Sequence, residues 1–335
     1  MNLELLNKLT QAFGPSGYEE EIRDLIQKEI APFVDEVWVD PLGSLIAHRH
    51  GKGKKLIVNA HIDEIGVMVM HIDEQGFLRF APVGGLSPLI CAGARVRFAN
   101  GTVGAVMREH REDTSTAPTL EQLYIDVGAA GKSDGPVNVG DPAVFIGPLA
   151  HQGQRITSKA LDDRIGCYIL IETLRQLEAP DYDLYALFST QEEVTHAGAR
   201  TSAFKIAPDI ALALDVTPTG DTPKAVPNDL ALAQGPAIKV QDSRLIAHPA
   251  VRELLRSAAQ KAHVPYQLEV LRRGTTDAAV MQLVRDGVPS GCLSIPCRFV
   301  HTPSEMVDSR DVENAIRLCR TLIQSAPQEE DTAAC

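Results

Sequence analysis

The sequence predicts an α/β fold that is interrupted by a small all-β domain. Toward both ends of the 335-residue chain, helical patterns alternate with short apolar runs rich in Val, Ile, Leu and Ala. Between residues 66 and 148 the helical periodicity disappears, and short alternating runs are separated by Gly, Asn, Asp and Pro. We therefore expect a discontinuous α/β domain, residues 1–65 plus 149–335, with a β-barrel domain inserted at residues 66–148.

The first 65 residues predict two helices and three strands. Helical patterns cover residues 3–13 and 19–30, and a Gly-Pro-Ser-Gly turn separates them. Strands are predicted at residues 35–40 and 44–50, on either side of the turn PLG. The run KKLIVNA at residues 54–60 is short, apolar and bracketed by polar turns, so we expect a buried strand.

Helices and strands alternate again after the predicted barrel. The predicted helices cover residues 165–177, 249–263, 276–287 and 309–324, and the predicted strands cover residues 183–190, 209–216, 266–271 and 291–296. The acidic end of the chain, residues 326–335, has little to bury, so we expect it to be frayed.

Composition excludes several classes of partner. The net charge of −12, without a basic cluster, argues against nucleic-acid binding. No apolar run approaches the roughly 20 residues that span a bilayer, and the first residues read as an amphipathic helix rather than a signal peptide. The six cysteines are scattered and include no CxxC pair, so we expect free thiols and a cytoplasmic protein.

Acidic and imidazole side chains stand where predicted strands end. His61 follows the strand at residues 54–60, and Asp215 lies near the end of the strand at residues 209–216. Glu192 and His301 follow two further strands in the same way. Ligands of open α/β sheets bind beyond the carboxyl ends of the strands, so we expect these side chains to meet at one rim.

The motif HIDEIG, residues 61–66, is nearly copied by HIDEQG at residues 71–76. The second copy lies between two predicted barrel strands and reads as a hairpin turn with exposed charges, which places His71 at the surface. The first copy follows a buried strand, so we predict metal binding by His61. Asp63 can then hydrogen-bond the far imidazole nitrogen and fix its tautomer.

Two pairs of adjacent carboxylates complete the set. In KALDDR, either Asp162 or Asp163 can bridge cations while the other braces it; spacing leaves both open. In QEEV, Glu192 and Glu193 follow a strand, where one can face a metal and the other its water as a general base. Two His, two Asp and one Glu exceed a closed structural zinc site and suit two divalent cations.

Six motifs together resemble the M42 family of metallo-aminopeptidases. The resemblance covers nearly the whole chain, in the family's order, from FGPSGYE to the last helix. It implies a zinc-exopeptidase-like open mixed sheet flanked by helices, with an inserted barrel that mediates dimerisation. The motifs are HIDEIG, KALDDR, QEEV, ALDVTPTGDTP, RGTTDA and PCRFVHTPSEMVD.

The resemblance implies a role for each motif residue. Asp162 would bridge two Zn²⁺ or Co²⁺ ions per subunit, and Glu192 would be the general base. One ion would be completed by His61 and Asp215, the other by Glu193 and His301; Asp63 would support catalysis, and Thr276 and Asp277 are candidates for substrate contact. The family also tends to form large homo-oligomers built from dimers, such as tetrahedral dodecamers.

The predicted function is removal of the N-terminal residue from short peptides. The chain departs from the family pattern at residues 195–199, where Gly usually follows QEEV, and at Thr275 in a Gly-Gly-Thr-Asp pattern. Three alternatives remain: a deacylase of small acylated amino acids on the same two ions, an endoglucanase, and a non-catalytic metal-binding assembly protein. A sequential Glu pair argues against the endoglucanase, because glycosidases need two carboxyls that flank the scissile bond.

Overall fold

The computed structural model describes residues 1–110 and 116–325, so the expectation about the acidic C-terminal end lies outside the described residues. Within this part of the chain the α-helices are α1 (Leu3–Gln11), α2 (Glu20–Ile30), α3 (Pro88–Cys91), α4 (Leu161–Gln176), α5 (Glu192–Thr195), α6 (Ala197–Ile206), α7 (Pro249–Lys261), α8 (Ala278–Met281) and α9 (Ser309–Ile323). The strands are β1 (Glu36–Val39), β2 (Leu45–Arg49), β3 (Lys55–His61), β4 (Gly66–Ile72), β5 (Leu78–Val83), β6 (Arg95–Phe98), β7 (Val103–Arg108), β8 (Leu123–Asp126), β9 (Pro142–Phe145), β10 (Ala150–Gln152), β11 (Arg155–Ser158), β12 (Asp183–Ser189), β13 (Ile210–Pro218), β14 (Ala237–Gln241), β15 (Gln267–Val270), β16 (Ser290–Cys297) and β17 (Glu305–Asp308).

An eight-stranded mixed sheet forms the centre of the α/β part, which confirms the predicted fold class. Its strand order is β1-β2-β12-β3-β13-β16-β14-β15. The four central strands β12, β3, β13 and β16 are parallel to one another. Parallel strands covered on both faces read as continuous apolar runs, as the sequence of β3 does. Their carboxyl ends therefore open on one edge of the sheet.

Helices cover both faces of this sheet. The larger apolar core joins α1, α2, α4, α7 and α9 to one face, with α4 buried along almost its whole length. A smaller core joins α6 and α8 to the other face. The five described cysteines are buried free thiols, as the scattered spacing predicted.

A closed six-stranded barrel, in the order β4-β5-β8-β7-β6-β9, occupies the middle of the chain. All of its strands fall within the predicted insertion, and its interior is filled by side chains such as Phe80, Phe98 and Ile125. His71 is exposed on β4, as expected for the second copy of the motif. The turn after it has Gly76 at φ 91°, a conformation that glycine adopts without steric cost.

One predicted helix is much shorter in the structure. Residues 276–287 were expected to be helical throughout, but α8 ends at Met281 and the chain continues in successive turns. Arg285 is in the left-handed region, at φ 54°, and Leu283 is 74% exposed. A longer helix would need right-handed backbone angles at Arg285 and a buried side chain at Leu283, and the structure has neither. Tertiary packing therefore ends the helix earlier than the local sequence pattern predicts.

Several elements were not predicted. Strands β14 and β17 have only five and four residues, and α6 is rich in small residues, so their apolar periodicity is weak. Strand β17 pairs with β11 far away in the chain, in the register Val307 to Ile156. Such pairing depends on tertiary contacts rather than on local sequence.

Candidate metal centre and active site

The predicted site residues converge at the carboxyl edge of the parallel strands. His61 is the last residue of β3, and Ser189 at the end of β12 lies beside it in register. Asp215 lies within β13, three residues before its end at Pro218, rather than at the strand end. His301 follows β16 and has a positive φ of 63°.

Asp162 lies between the two predicted histidine ligands. Its Oδ1 is 3.0 Å from His61 Nε2, and its Oδ2 is 3.3 Å from His301 Nε2. Burial would raise the pKa of Asp162, but its contacts with His301 and His61 hold the pKa well below the usual range. One carboxylate thus presents a different oxygen to each histidine, which is the arrangement of a bridging ligand.

Asp163 is also near the centre. Asp162 and Asp163 are joined by a cis peptide bond and have non-helical backbone angles, although both fall within α4. Asp163 Oδ1 accepts a hydrogen bond from the Gly166 backbone N–H at 3.0 Å, so one of its oxygens caps the regular part of the helix. With His61 and Asp215 it also forms a group whose ligand atoms could hold a cation.

Glu192 and Glu193 lie in the first turn of α5, not at a regular strand end as expected. Successive helical residues point about 100° apart, so the two carboxylates diverge. Glu193 Oε2 lies 3.2 Å from His301 Nε2. Glu192 Oε2 lies 4.0 Å from His61 Nε2, and its Oε1 lies 3.0 Å from His196 Nδ1.

Asp63 organises the base of the site. The nearest partner of His61 Nδ1 is the Asp63 backbone oxygen at 3.1 Å, with the Asp63 carboxylate at 3.4 Å. That fully buried carboxylate accepts hydrogen bonds from the backbone N–H groups of Glu192 and Glu193 and from the Ser16 hydroxyl. The prediction concerned the Asp63 carboxylate, whereas the Asp63 backbone oxygen is the nearer partner of the imidazole; the carboxylate instead fixes the first turn of α5.

Glu305 is a positioning residue that the sequence reasoning missed. Its Oε2 accepts the backbone N–H of Asp162 at 2.9 Å, and its Oε1 accepts that of His301 at 2.8 Å. One buried carboxylate thus ties together the backbones of two predicted ligands. Its place four residues after His301 in HTPSE was the available signal, but that spacing says nothing of the contact with Asp162.

Glu64, in the motif HIDEIG, is a second residue without a predicted role. It is 2% exposed and forms ion pairs with Lys159 at 2.5 Å and Arg164 at 3.3 Å. Arg164 also donates to the backbone oxygen of Leu9. These contacts hold in place the start of α4, which includes Asp162.

Thr276 and Asp277, the candidates for substrate contact, are each 2% exposed. Asp277 Oδ2 accepts hydrogen bonds from Asn59 at 2.7 Å and from Ser189 at 2.6 Å. Its Oδ1 lies 3.1 Å from His196 Nδ1. Asp277 therefore lies beside Glu192, behind the rim of the site.

The site has the chemistry of a cation-binding centre. Burial raises the pKa of Asp163, Asp215 and Glu193, and neighbouring carboxylates add to the effect. Asp163 Oδ2 and Glu193 Oε1 are buried without a hydrogen-bond partner among the described residues. Buried, mutually repelling carboxylate oxygens beside two imidazoles are the donor set that divalent cations bind, and His61, Asp162 and Glu193 form a second such group.

The fold and the site together define the class of metal-dependent exopeptidases built on an open α/β sheet. The sequence model of the M42 glutamyl aminopeptidase family matches residues 43–318. A relative from Acetivibrio thermocellus that is named as an aminopeptidase is 49% identical, with 94% of this chain and 96% of the relative covered. The chain belongs to the M42 peptidase family and is a metal-dependent aminopeptidase.

Solved structures agree with this assignment. An aminopeptidase from the archaeon Desulfurococcus kamchatkensis superposes with a TM-score of 0.92 at 41% identity, covering 96% of this chain and 94% of that one. The TET1 peptidase of Pyrococcus horikoshii superposes with a TM-score of 0.89 at 30% identity, covering 97% and 99%. That peptidase can assemble into a tetrahedron or a large octahedral shell. In the part of this chain that the structure describes, no helix is both long and apolar enough to cross a membrane.

Proposed function

We propose that two divalent cations, Zn²⁺ or Co²⁺, bind at this site. Asp162, whose two oxygens face different histidines, would help to hold both ions. His61 and Asp215 would hold the first ion with it, and Glu193 and His301 would hold the second. When bound, such cations polarise a substrate carbonyl and acidify water.

Glu192 is the general base of the proposed reaction. It takes a proton from the attacking water and returns it to the leaving amine, as one carboxylate can do when it faces the reacting group. Burial raises the pKa of Glu192 to about 7, while the hydrogen bond from His196 opposes the rise. A base near neutral pKa both accepts and returns a proton readily near neutral pH.

The substrates are short peptides with a free N-terminus, hydrolysed in the cytoplasm by a homo-oligomer. The proposed assembly is built from dimers that meet through the barrel, and a tetrahedral dodecamer is its expected form. Support comes from the TET1 peptidase, which assembles into closed shells, and from exposed apolar side chains on the barrel segment, such as Leu89 and Met70.

The position of Asp162 between His61 and His301 carries the proposal, and the adjacent glutamates test it. Glu192→Gln should keep two cations per chain, measured by elemental analysis, and lose kcat on aminoacyl-anilides by a factor of 10³ or more. Glu193→Gln should instead lose metal. Retained turnover in Glu192→Gln, or a single cation in the wild-type protein, contradicts this mechanism.

A substrate panel separates the peptidase from the remaining alternatives. Metal-loaded wild-type protein should hydrolyse aminoacyl-anilides and short peptides but not N-acyl amino acids, since the latter lack a free amine. Chelation should abolish turnover, and Zn²⁺ or Co²⁺ should restore it. Turnover of N-acyl substrates alone would identify a deacylase, and the absence of any turnover in fully loaded protein would indicate a binding protein.

A further inference from the structure

The strongest feature outside the proposed metal ligands is a buried cluster of Glu192, His196 and Asp277. His196 Nδ1 lies 3.0 Å from Glu192 Oε1 and 3.1 Å from Asp277 Oδ1. The three side chains are only 10%, 12% and 2% exposed. Because two carboxylate oxygens face the same ring nitrogen, that nitrogen carries a proton and donates it to them.

Asp277 is held rigidly from the sheet side. Its Oδ2 accepts hydrogen bonds from Asn59 on β3 and from Ser189 at the end of β12. These two strands lie side by side in the parallel centre of the sheet. Asp277 is therefore held in place by the sheet, and it holds the imidazole of His196 in turn.

The backbone of His196 is fixed as well. It lies at φ 55° and ψ 27°, where it ends α5 and begins α6, and its N–H donates to the Gln191 oxygen at 2.9 Å. Two residues later, a Cβ at Gly198 would come within 2.6 Å of the Thr190 backbone nitrogen, so glycine alone permits this close approach of α6 to the end of β12. The imidazole has little freedom to leave Glu192.

We propose that His196 is a positioning residue for catalysis, which holds Oε1 of Glu192 so that Oε2 faces the cation side of the site. This inference rests on the proposed role of Glu192 as general base. Glu192 Oε2 does point that way, 4.0 Å from His61 Nε2. A carboxylate that is hydrogen-bonded at one oxygen loses less rotational freedom when its other oxygen takes the proton. A residue that orients a catalytic group in this way typically contributes about 10–100-fold to activity.

The test compares His196→Ala with His196→Asn. Asparagine can place an N–H near the position of Nδ1, and it tolerates the left-handed backbone better than other non-glycine residues. His196→Ala should lower kcat by about 10–100-fold with KM changed less than about twofold, and two cations per chain should remain. His196→Asn should recover most of the lost kcat. Equal kcat in His196→Ala and wild type, or no recovery in a folded His196→Asn, would overturn the proposal.

His263→Ala is a matched control, because His263 is exposed and has φ 52° at the end of α7. His263→Ala should leave kcat unchanged. Its melting temperature shows how much stability is lost when an imidazole is removed from a residue with left-handed backbone angles. Melting temperatures of all variants show whether a loss of kcat reflects unfolding. A crystal structure of His196→Ala should show the Glu192 carboxylate rotated; an unmoved carboxylate would contradict a positioning role.

The same substitution in a Glu192→Gln background separates this inference from the proposed mechanism. If His196 acts through Glu192, then Glu192→Gln and the double variant should have the same residual kcat. A further loss in the double variant would show that His196 acts independently of Glu192. Wild-type kcat in Glu192→Gln alone would remove Glu192 as the base, whatever His196 does. Loss of one cation in His196→Ala would make His196 a ligand instead.

Discussion

At the scale of single residues, the two copies of the HIDE motif show that identical residues can lie in very different environments. Glu64, in the first copy, is 2% exposed and forms buried ion pairs with Lys159 and Arg164, whereas Glu74, in the second, forms an exposed pair with Lys132. A buried charge left without its partner costs far more than an exposed one, because water cannot replace the lost contact.

Glu64→Gln should therefore lower the free energy of unfolding by about 3–5 kcal/mol, since it leaves two buried cations with only an amide between them. Glu74→Gln is the matched control and should change it by less than about 0.5 kcal/mol. Denaturant unfolding of chelator-treated protein measures both without a contribution from bound metal. Equal stabilities of the two variants would mean that the pair at Glu64 is compensated elsewhere.

Glu305 gives a prediction about metal affinity rather than stability. Its carboxylate accepts the backbone N–H groups of Asp162 and His301, so its removal should loosen two ligands together. Glu305→Ala should weaken cation binding by about 10–100-fold, measured by calorimetric titration of the metal-depleted protein. Unchanged affinity in a folded variant would show that the ligand backbones are held by other contacts.

At the scale of elements, a surface ion pair links the ends of two neighbouring strands. Arg298, after β16, donates from Nε and Nη2 to both carboxylate oxygens of Asp221, after β13, at 2.9 and 2.7 Å. The hydrogen bonds from Arg298 hold the pKa of Asp221 well below its usual range. A depressed carboxylate pKa stabilises the fold above the unfolded value of about 3.9, and this stability is lost as pH falls toward the folded-state pKa.

Asp221→Asn should accordingly lower the free energy of unfolding by about 1–2 kcal/mol at pH 7. The difference from wild type should shrink as the pH falls below about 4, because the carboxylate then takes up a proton in the unfolded state while it stays ionised in the folded state. Thermal unfolding in chelator at pH 7, 5 and 3.5 provides the comparison. A difference that stays constant over this range would rule out the ion pair as its source.

At the scale of the whole molecule, the barrel is a closed sheet separate from the eight-stranded sheet. Its segment reaches the site after β5, where the Gly85 backbone oxygen lies 2.9 Å from His301 Nδ1, whereas Leu89 in the same segment is 67% exposed. A single exposed apolar residue is ordinary, but Met70, Leu89 and Val139 are all more than half exposed in this segment, and several such residues favour a surface that another subunit covers. This supports the proposed dimer contact.

Leu89→Glu should reduce the size of the assembly in solution, because a charge buried in an apolar contact is costly. Leu283→Glu, at a residue 74% exposed beside α8, serves as the control for charge on the α/β part. Light scattering of both variants reports the mass of the assembly. If only Leu283→Glu shrinks the assembly, the dimer contact lies outside the barrel.

Sequence patterns predicted the helices and strands with strong local signals. Residues 19–30 correspond to α2, residues 54–60 to β3 and residues 183–190 to β12, because buried elements of regular length carry clear apolar periodicity. The predicted helix at residues 276–287 was too long, because a short apolar pattern does not show where a helix ends. The adjacent glutamates were expected at a strand end, but a turn of helix α5 holds them instead.

By itself the sequence determined which side chains are available and that His61 and His301 end or follow strands, because strand ends can be read locally; Asp215 lies inside β13 instead. Only the tertiary structure decided which atoms face one another. It places the two oxygens of Asp162 beside different histidines, the Glu305 carboxylate on two backbone N–H groups, and His196 beside Glu192. Such contacts join residues that are distant along the chain. Register and packing of the whole sheet fix them, and no local pattern encodes them.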